Sequence, residues 1–357
     1  MTNYEETVAE AFPVGEYLRD EIEARSWSVG EFAAIIGRPV QALSEILNGK
    51  KDLTLDTAAE IAAATGTEAS TWLNLQMRYK LWLQASSRDY ELSQIERRAR
   101  LAALVPLPEL RARGLIESGS VEDEERQVCG VLRIASSWER PDFALAARRT
   151  EEVEALSPQQ VAWLGFSRHK VAQVTTSSPF DLEALTQLAK GLTGYVRSPD
   201  LVSTLPEKFS AVGVRLVHFA AFKSGKIDGA AFEDSSGPVI VVSARGNAMD
   251  KLLFTVLHEA AHIVLGHTKD SVSFDDDLSA EPMTKQERDA DELAAVWAIP
   301  RPVLIGRKVS KSAVEAFAAE VGVHPAMVVG RLHYDRIVPW THLNGLVPSI
   351  GAAVKAW

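Results

Sequence analysis

The stretch that decides how the C-terminal half folds is TVLHEAAHIVLGH, from Thr255 to His267. With Leu253 just before it, the apolar residues Val256, Leu257, Ala260, Val264 and Leu265 recur at helical spacing, which predicts a continuous helix with one packed face. On such a helix residues four apart share a side, so His258 and His262 both offer an imidazole nitrogen to one ion. Glu259 projects about 100° around the axis, where it takes a proton from water polarised by that ion. A plainer reading treats the three as polar residues on a buried helix, because five-residue matches also arise by chance. A third ligand separates the two readings, since a catalytic zinc needs three protein donors and one open position.

That third donor is sought in QERDADELAAVWAIP, Gln286 to Pro300. Glu287 and Asp291 lie four apart on a predicted helix, so Glu287 reaches the metal while Asp291 steadies a histidine from outside. Asp289 is the rival ligand if that helix begins later. His267 follows His258 by nine residues, one short of the metzincin spacing, and is expected at the surface or behind a ligand. Between the two motifs, Asp275, Asp276 and Asp277 read as an acidic loop.

Upstream, VGVRLVHFAAF, IDGAAFED and GPVIVVSAR are short, rich in β-branched residues and bounded by turn formers, and read as strands. The C-terminal domain is therefore expected to be α+β. From Phe12 to about Ala85 the apolar spacing changes to that of five short helices, carried by Leu18, Ile22, Phe32, Ile36, Leu43, Ile46 and Leu47. Ser28 with Glu31 has the form of a capping box, and Thr54 caps a helix that stops at Gly66. A helix from Val29 to Ile36 and a second from Pro39 to Leu47 give a helix-turn-helix layout. Gln41, Ser44 and Glu45 are its expected exposed reading face, and Lys50 and Lys51 are placed for phosphate. A helical bundle used only for protein contacts is the plainer alternative. The segment from Arg88 to about Pro206 is charged, rich in Ala and Leu, and helical in pattern; it shows no catalytic constellation.

The whole is read as multidomain. Residues 1–87 form an all-α helix-turn-helix domain, 88–206 a helical connector, 207–310 the zincin-like α+β domain and 311–357 a small helical module. A length of 357 residues suits more than one core, and 46 % apolar with 24 % charged residues is a globular composition. The net charge of −10 argues against indiscriminate attraction to nucleic acid or membrane, so any DNA contact must be local. The acidic N-terminus lacks the form of a signal peptide, which places the chain in the cytoplasm. Cys129 is the single cysteine, expected as a small buried hydrophobe. His324, His333 and His342 are too scattered for a metal site.

Two resemblances follow from these motifs. FTVLHEAAHIVLGH, ERDADELAAVWAIP and the β segment before them resemble the ImmA/IrrE family of zinc metallo-endopeptidases over roughly Val212 to Pro302, and Glu287 with Asp291 matches that family's E-x-x-x-[N/D] pattern. The resemblance implies zinc as cofactor and cleavage of a bacterial repressor as activity. FPVGEYLRDEIEARSWSVGEFAAIIG, SEILNGKKDLTLDTAAEIAAATG and TWLNLQMRYKL resemble HigA-type antitoxins of the XRE superfamily over Phe12 to Leu83. That likeness implies a homodimer on operator DNA and a RelE-like ribonuclease toxin as partner. This chain has Val40 and Ala42 where relatives often carry arginines. The tail from Val321 to Leu346 is similar to the end of long HigA proteins. The leading expectation is thus a DNA-binding regulator of HigA antitoxin type with a zinc metallopeptidase-like domain. The rivals are an active endopeptidase that cleaves a repressor, and a scaffold whose metal site is purely structural.

Overall fold

The computed structural model describes residues 11–143, 156–268, 273–275, 284–303 and 309–357, with backbone alone for 85–92 and 273–275. The chain divides into two compact units, Met1–Glu96 and Arg97–Trp357.

In the first unit, helices α1 (Val14–Ala24), α2 (Val29–Ile35), α3 (Val40–Leu47), α4 (Leu55–Thr65) and the start of α5 (Ala69–Leu104) enclose one core. All seven apolar residues singled out by spacing are buried in it, together with Leu53, Ile61 and Trp72. The predicted caps are formed: Ser28 and Glu31 bond each other's backbone N–H reciprocally, and Thr54 accepts from Thr57 N. Gly15 is required by contact, because a Cβ there would lie 2.5 Å from Leu47 O, so α1 crosses the end of α3 at backbone distance. The Gln76 amide bonds both backbone groups of Leu53, at 2.6 Å and 3.2 Å, and so ties α5 to the loop before α4. The fifth helix does not stop near Ala85 but runs on to Leu104.

The second unit is built on a four-stranded sheet in the order β1-β3-β2-β4. Its strands are β1 (Arg215–His218), β2 (Gly229–Asp234), β3 (Gly237–Val242) and β4 (Ser273–Asp275). The β1–β3 pair is parallel, whereas β2 runs antiparallel to β3 and β4. Alternation along the strands sends Leu216, Ala231, Ile240 and Val242 to one face and Val217, Ala230, Phe232, Val239 and Val241 to the other. The sheet's two faces thus belong to two cores. Asp275, expected in a loop, is instead the last residue of β4 and pairs with Gly229, while Asp276 and Asp277 lie outside the described residues.

The second face is covered by residues upstream of the sheet. Helices α6 (Leu107–Ala112), α7 (Val121–Leu132) and α8 (Pro158–Val171) supply Leu110, Val128 and Trp163 to it. Trp163 donates its indole N–H to Phe219 O at 2.6 Å. Cys129 is buried in α7, and burial pushes its thiol up to about 11, the behaviour of an unreactive thiol.

The first face is covered by α9 (Leu182–Tyr195), α10 (Leu205–Ser210), α11 (Met249–Leu265), α12 (Lys285–Ala298), α13 (Lys311–Val321) and α14 (Pro325–Tyr334). Val314, Phe317, Val328 and Leu332 of the last two helices share a single core with Leu253, Val256 and Leu257 of α11. The tail therefore packs into the same body as the motif helix. Leu265, expected on the packed stripe, is 42 % exposed at the end of α11, where Gly266 at φ 75° closes the helix.

Candidate metal centre and DNA-reading face

The motif helix α11 is buried on nearly all sides, and His258 and His262 are each only 1 % exposed. Helix α12 begins at Lys285, capped by Thr284, whose hydroxyl accepts from Glu287 N at 3.2 Å. Glu287 is thereby the third residue of its helix, and its carboxylate turns toward α11. Small residues allow the two helices to approach: Ala260, Ala261, Ala290 and Ala294 are all fully buried in their common core.

Three donor atoms meet in this contact. His258 Nε2 lies 2.9 Å from His262 Nε2 and 3.1 Å from Glu287 Oε2, and His262 Nε2 lies 3.4 Å from the same oxygen. Donors about 2.0–2.1 Å from a tetrahedral zinc stand about 3.4 Å apart, so the separations suit one small divalent ion. The outer nitrogen of His258 faces a carboxylate: Asp291 Oδ1 is 2.9 Å from Nδ1, within ion-pair distance though not aligned as a hydrogen bond. A negative charge at that distance favours a proton on Nδ1, the tautomer that turns the Nε2 lone pair toward a metal. Burial lowers the pKa of His262, which keeps the ring in the neutral form a ligand needs. For Glu287 burial acts upward, but the two imidazoles beside it outweigh burial and hold the carboxyl well below its ordinary value, so the group is an anion.

Asp289, the rival ligand, does not join the group; among the described residues the donor cluster consists of His258, His262 and Glu287. The Asp289 charge acts on His267 instead. His267 Nδ1 sits 3.1 Å from His262 Nδ1, on the side of that ring away from Glu287. His324 caps α14, and His333 bonds His342 O at 2.8 Å, so neither supplies this centre.

Glu259 is completely buried, and its carboxylate is set against β2. A Cβ at Gly229 would come within 2.4 Å of Glu259 Oε1 and 2.7 Å of Thr255 Cγ2, so any larger residue there would displace this carboxylate. Sequence reasoning missed Gly229, since its signal is a contact across more than twenty residues rather than a turn. A mostly apolar hollow of about 480 Å³ opens on the other side of Asp291, lined by residues such as Phe254, Ile299, Met327, Tyr334 and Trp340.

The reading face of the first unit is arranged differently. Leu43, Ile46 and Leu47 turn inward from α3, leaving Gln41 exposed and Ser44 and Glu45 half-buried. Lys50 and Lys51 are exposed just after Gly49, whose φ is 68°. Gln41 reaches Glu45 at 3.5 Å, a weak contact that leaves its amide available. Two further residues belong to this face. Asn48 is exposed and donates to Ser44 O at 2.8 Å, and Val40 is 51 % exposed. The Arg38 guanidinium is paired with Glu60, at 2.7 Å and 3.0 Å.

Comparison with known proteins finds a family for each of the two regions. Residues 18–72 match the helix-turn-helix family, and residues 211–333 match the IrrE N-terminal-like domain of the M78 peptidases. An uncharacterized helix-turn-helix transcriptional regulator of Haemophilus influenzae is 36 % identical over 81 residues, which cover 22 % of this chain and 76 % of the relative. The chain belongs to the helix-turn-helix transcriptional regulators. Among solved structures, the regulator is similar to a protein of Nostoc punctiforme described as an antidote of a plasmid maintenance system. The two are 30 % identical over 25 % of this chain and 97 % of that one, with a TM-score of 0.23. It is also similar to a HigA-family addiction-module antidote protein of Coxiella burnetii, at 28 % identity over 24 % of this chain and 94 % of the other, with a TM-score of 0.23. The regulator thus carries a DNA-binding domain and a metallopeptidase-family domain in one chain. Among its described residues no single helix is long and apolar enough to cross a membrane.

Proposed function

We propose that the chain is an antitoxin-type repressor that binds its operator as a homodimer and holds one zinc ion in its peptidase-like domain. One observation supports the zinc assignment above others: two buried imidazoles and a carboxylate converge within 3.4 Å, with Asp291 behind the first ring. In this reading His258, His262 and Glu287 are the ligands, and a zinc ion bound there supplies a Lewis-acid centre that polarises carbonyl groups and acidifies water. Gln41, Ser44 and Glu45 face base edges, and Lys50 and Lys51 engage phosphate. Val40 suits a thymine methyl group, an apolar contact that an arginine at this position would not make. The neutralised partner is a RelE-like ribonuclease toxin, by likeness to the HigA antidote proteins.

Two measurements test this. Elemental analysis of the purified protein should give about one zinc per chain, lost in His262→Ala and Glu287→Ala but kept in Asp289→Ala. Retention of zinc by His262→Ala sinks the ligand assignment. A gel shift should show cooperative binding to a palindromic upstream site, with Gln41→Ala relaxing base preference. Equal affinity for operator and random DNA at moderate salt removes the repressor reading.

A second reading is favoured by the position of Glu259, buried next to the first ligand and cradled by Gly229. As an endopeptidase of a repressor, the domain would use the Glu259 carboxylate to accept a proton from the attacking water and return it to the leaving amine. Glu259→Gln should keep zinc and DNA binding, because the residue is not a ligand. Zinc-dependent cleavage of a partner repressor by wild type, absent in Glu259→Gln, would place this reading first.

A further inference from the structure

At the carboxyl ends of β1 and β3 the second unit has a hollow that neither reading uses. The two strands are parallel neighbours that end together at the His218–Val242 pair, and Phe219 N bonds Val242 O at 3.0 Å. The loops leaving them, 219–226 and 243–247, border an open hollow of about 680 Å³ together with the chain around Gly351–Lys355. A crevice at the carboxyl ends of adjacent parallel strands is a recurrent place for ligands.

Its lining is one-signed. Lys223, Lys226, Arg245 and Lys355 border the hollow with His218 and Asn247, and among the described residues no carboxylate lines it. This is unexpected in a chain of net charge −10. Two neighbouring acids are already matched. Asp228 is almost fully buried and is held by Arg245 at 2.9 Å and 3.1 Å and by Lys251 at 2.8 Å. Glu109 accepts from Lys223 N at 3.0 Å while also paired to Arg113. Three exposed lysines remain around a concave wall of small residues, among them Ser224, Gly225 and Gly246. A cleft lined by one sign of charge concentrates counter-ions of the other sign.

We propose that this hollow binds a small phosphorylated ligand of mononucleotide size. The charge selects an anion with more than one negative charge. The small side chains let its phosphate approach the backbone, and the volume falls within the range of small-molecule sites. The site is separate from the His258 donor group and does not depend on zinc there.

Calorimetric titration of the full chain at low salt with inorganic pyrophosphate, then with adenosine diphosphate, tests the site. Wild type should bind one equivalent of each. The double variant Lys226→Glu/Lys355→Glu changes exposed side chains only, and it should lose at least tenfold in affinity with an unchanged melting temperature. Lys50→Glu/Lys51→Glu, which alters the DNA-reading face, should bind both probes as wild type does. Undiminished binding in the Lys226/Lys355 variant overturns the proposal, as does no saturable binding by wild type. Affinity for single-stranded oligonucleotides that rises with length and disappears in the same variant overturns it in favour of a nucleic-acid groove.

Discussion

The two functional regions of this regulator are built on opposite plans. On α3 the candidate reading residues stand outside the core: Leu43, Ile46 and Leu47 hold the helix, while the side chains of Gln41, Lys50 and Lys51 are exposed. In the metal centre the functional residues are themselves interior, with His258, Glu259 and His262 no more than 1 % exposed. A change on the first surface should alter binding and leave folding alone. In the second region folding and chemistry share the same atoms, because the candidate ligands sit in the contact between α11 and α12.

Substitutions should separate the plans in order of size. The largest effect belongs to the ligands: His258→Ala should abolish measurable zinc binding and lower the melting temperature of the zinc-loaded protein, because metal-binding free energy is part of that domain's stability. An unchanged melting temperature would show that the domain folds without help from the ion. Next comes the core behind the reading face. Phe32→Ala should cost about 3–5 kcal/mol in denaturant unfolding of the first unit, the range for truncating a buried aromatic residue. A cost near zero would contradict the packing described for α2.

Asp291→Ala should weaken zinc about 10- to 100-fold without removing it, the usual consequence of losing the carboxylate behind a ligating histidine. Competition with a chromogenic chelator reads this directly, and unaltered affinity would mean that His258 is oriented by packing alone. A smaller effect is expected at Arg111→Ala. The Arg111 guanidinium bonds the buried Glu124 carboxylate twice at 2.6 Å and holds its pKa below 4.5, against the opposing pull of burial. Since the folded value is the depressed one, this pair's contribution is complete above pH 4.5 and is lost as pH falls through the folded pKa. Removing the partly exposed arginine should cost about 1–2 kcal/mol at neutral pH and flatten the acid limb of stability. The smallest change should come from Lys50→Ala, which should reduce the salt slope of operator binding by about 0.9 per chain, about 1.8 for the dimer, and leave thermal stability as it was. A large loss of stability there would break the contrast between the two regions.

Much of this was legible in the chain because helical periodicity and capping are local. Leu18, Ile22, Phe32 and Leu43 were readable as core from spacing, and Ser28 with Glu31 as a helix start from residue type. The His258/His262 pair was readable because residues four apart share a helix face whatever lies around them. Glu287 was a candidate from its distance to Asp291, yet its rivalry with Asp289 turned on where α12 begins. That start is set by the Thr284 cap and by how the second helix lies on the first.

Other features are products of tertiary structure alone. Sequence spacing carries no signal that a side chain at Gly229 would displace the Glu259 carboxylate, because Glu259 arrives from a helix thirty residues later. Nor does it show that Asp228 is shared by Arg245 and Lys251, that Gln76 clamps Leu53, or that basic residues from two loops and the tail border one hollow. The physical reason is range. Backbone preference, amphipathic period and i to i+4 geometry act within about two helical turns and are written in neighbouring letters. Strand order, close backbone approach and the convergence of charges depend on which distant surfaces bury each other, and only the folded chain decides that.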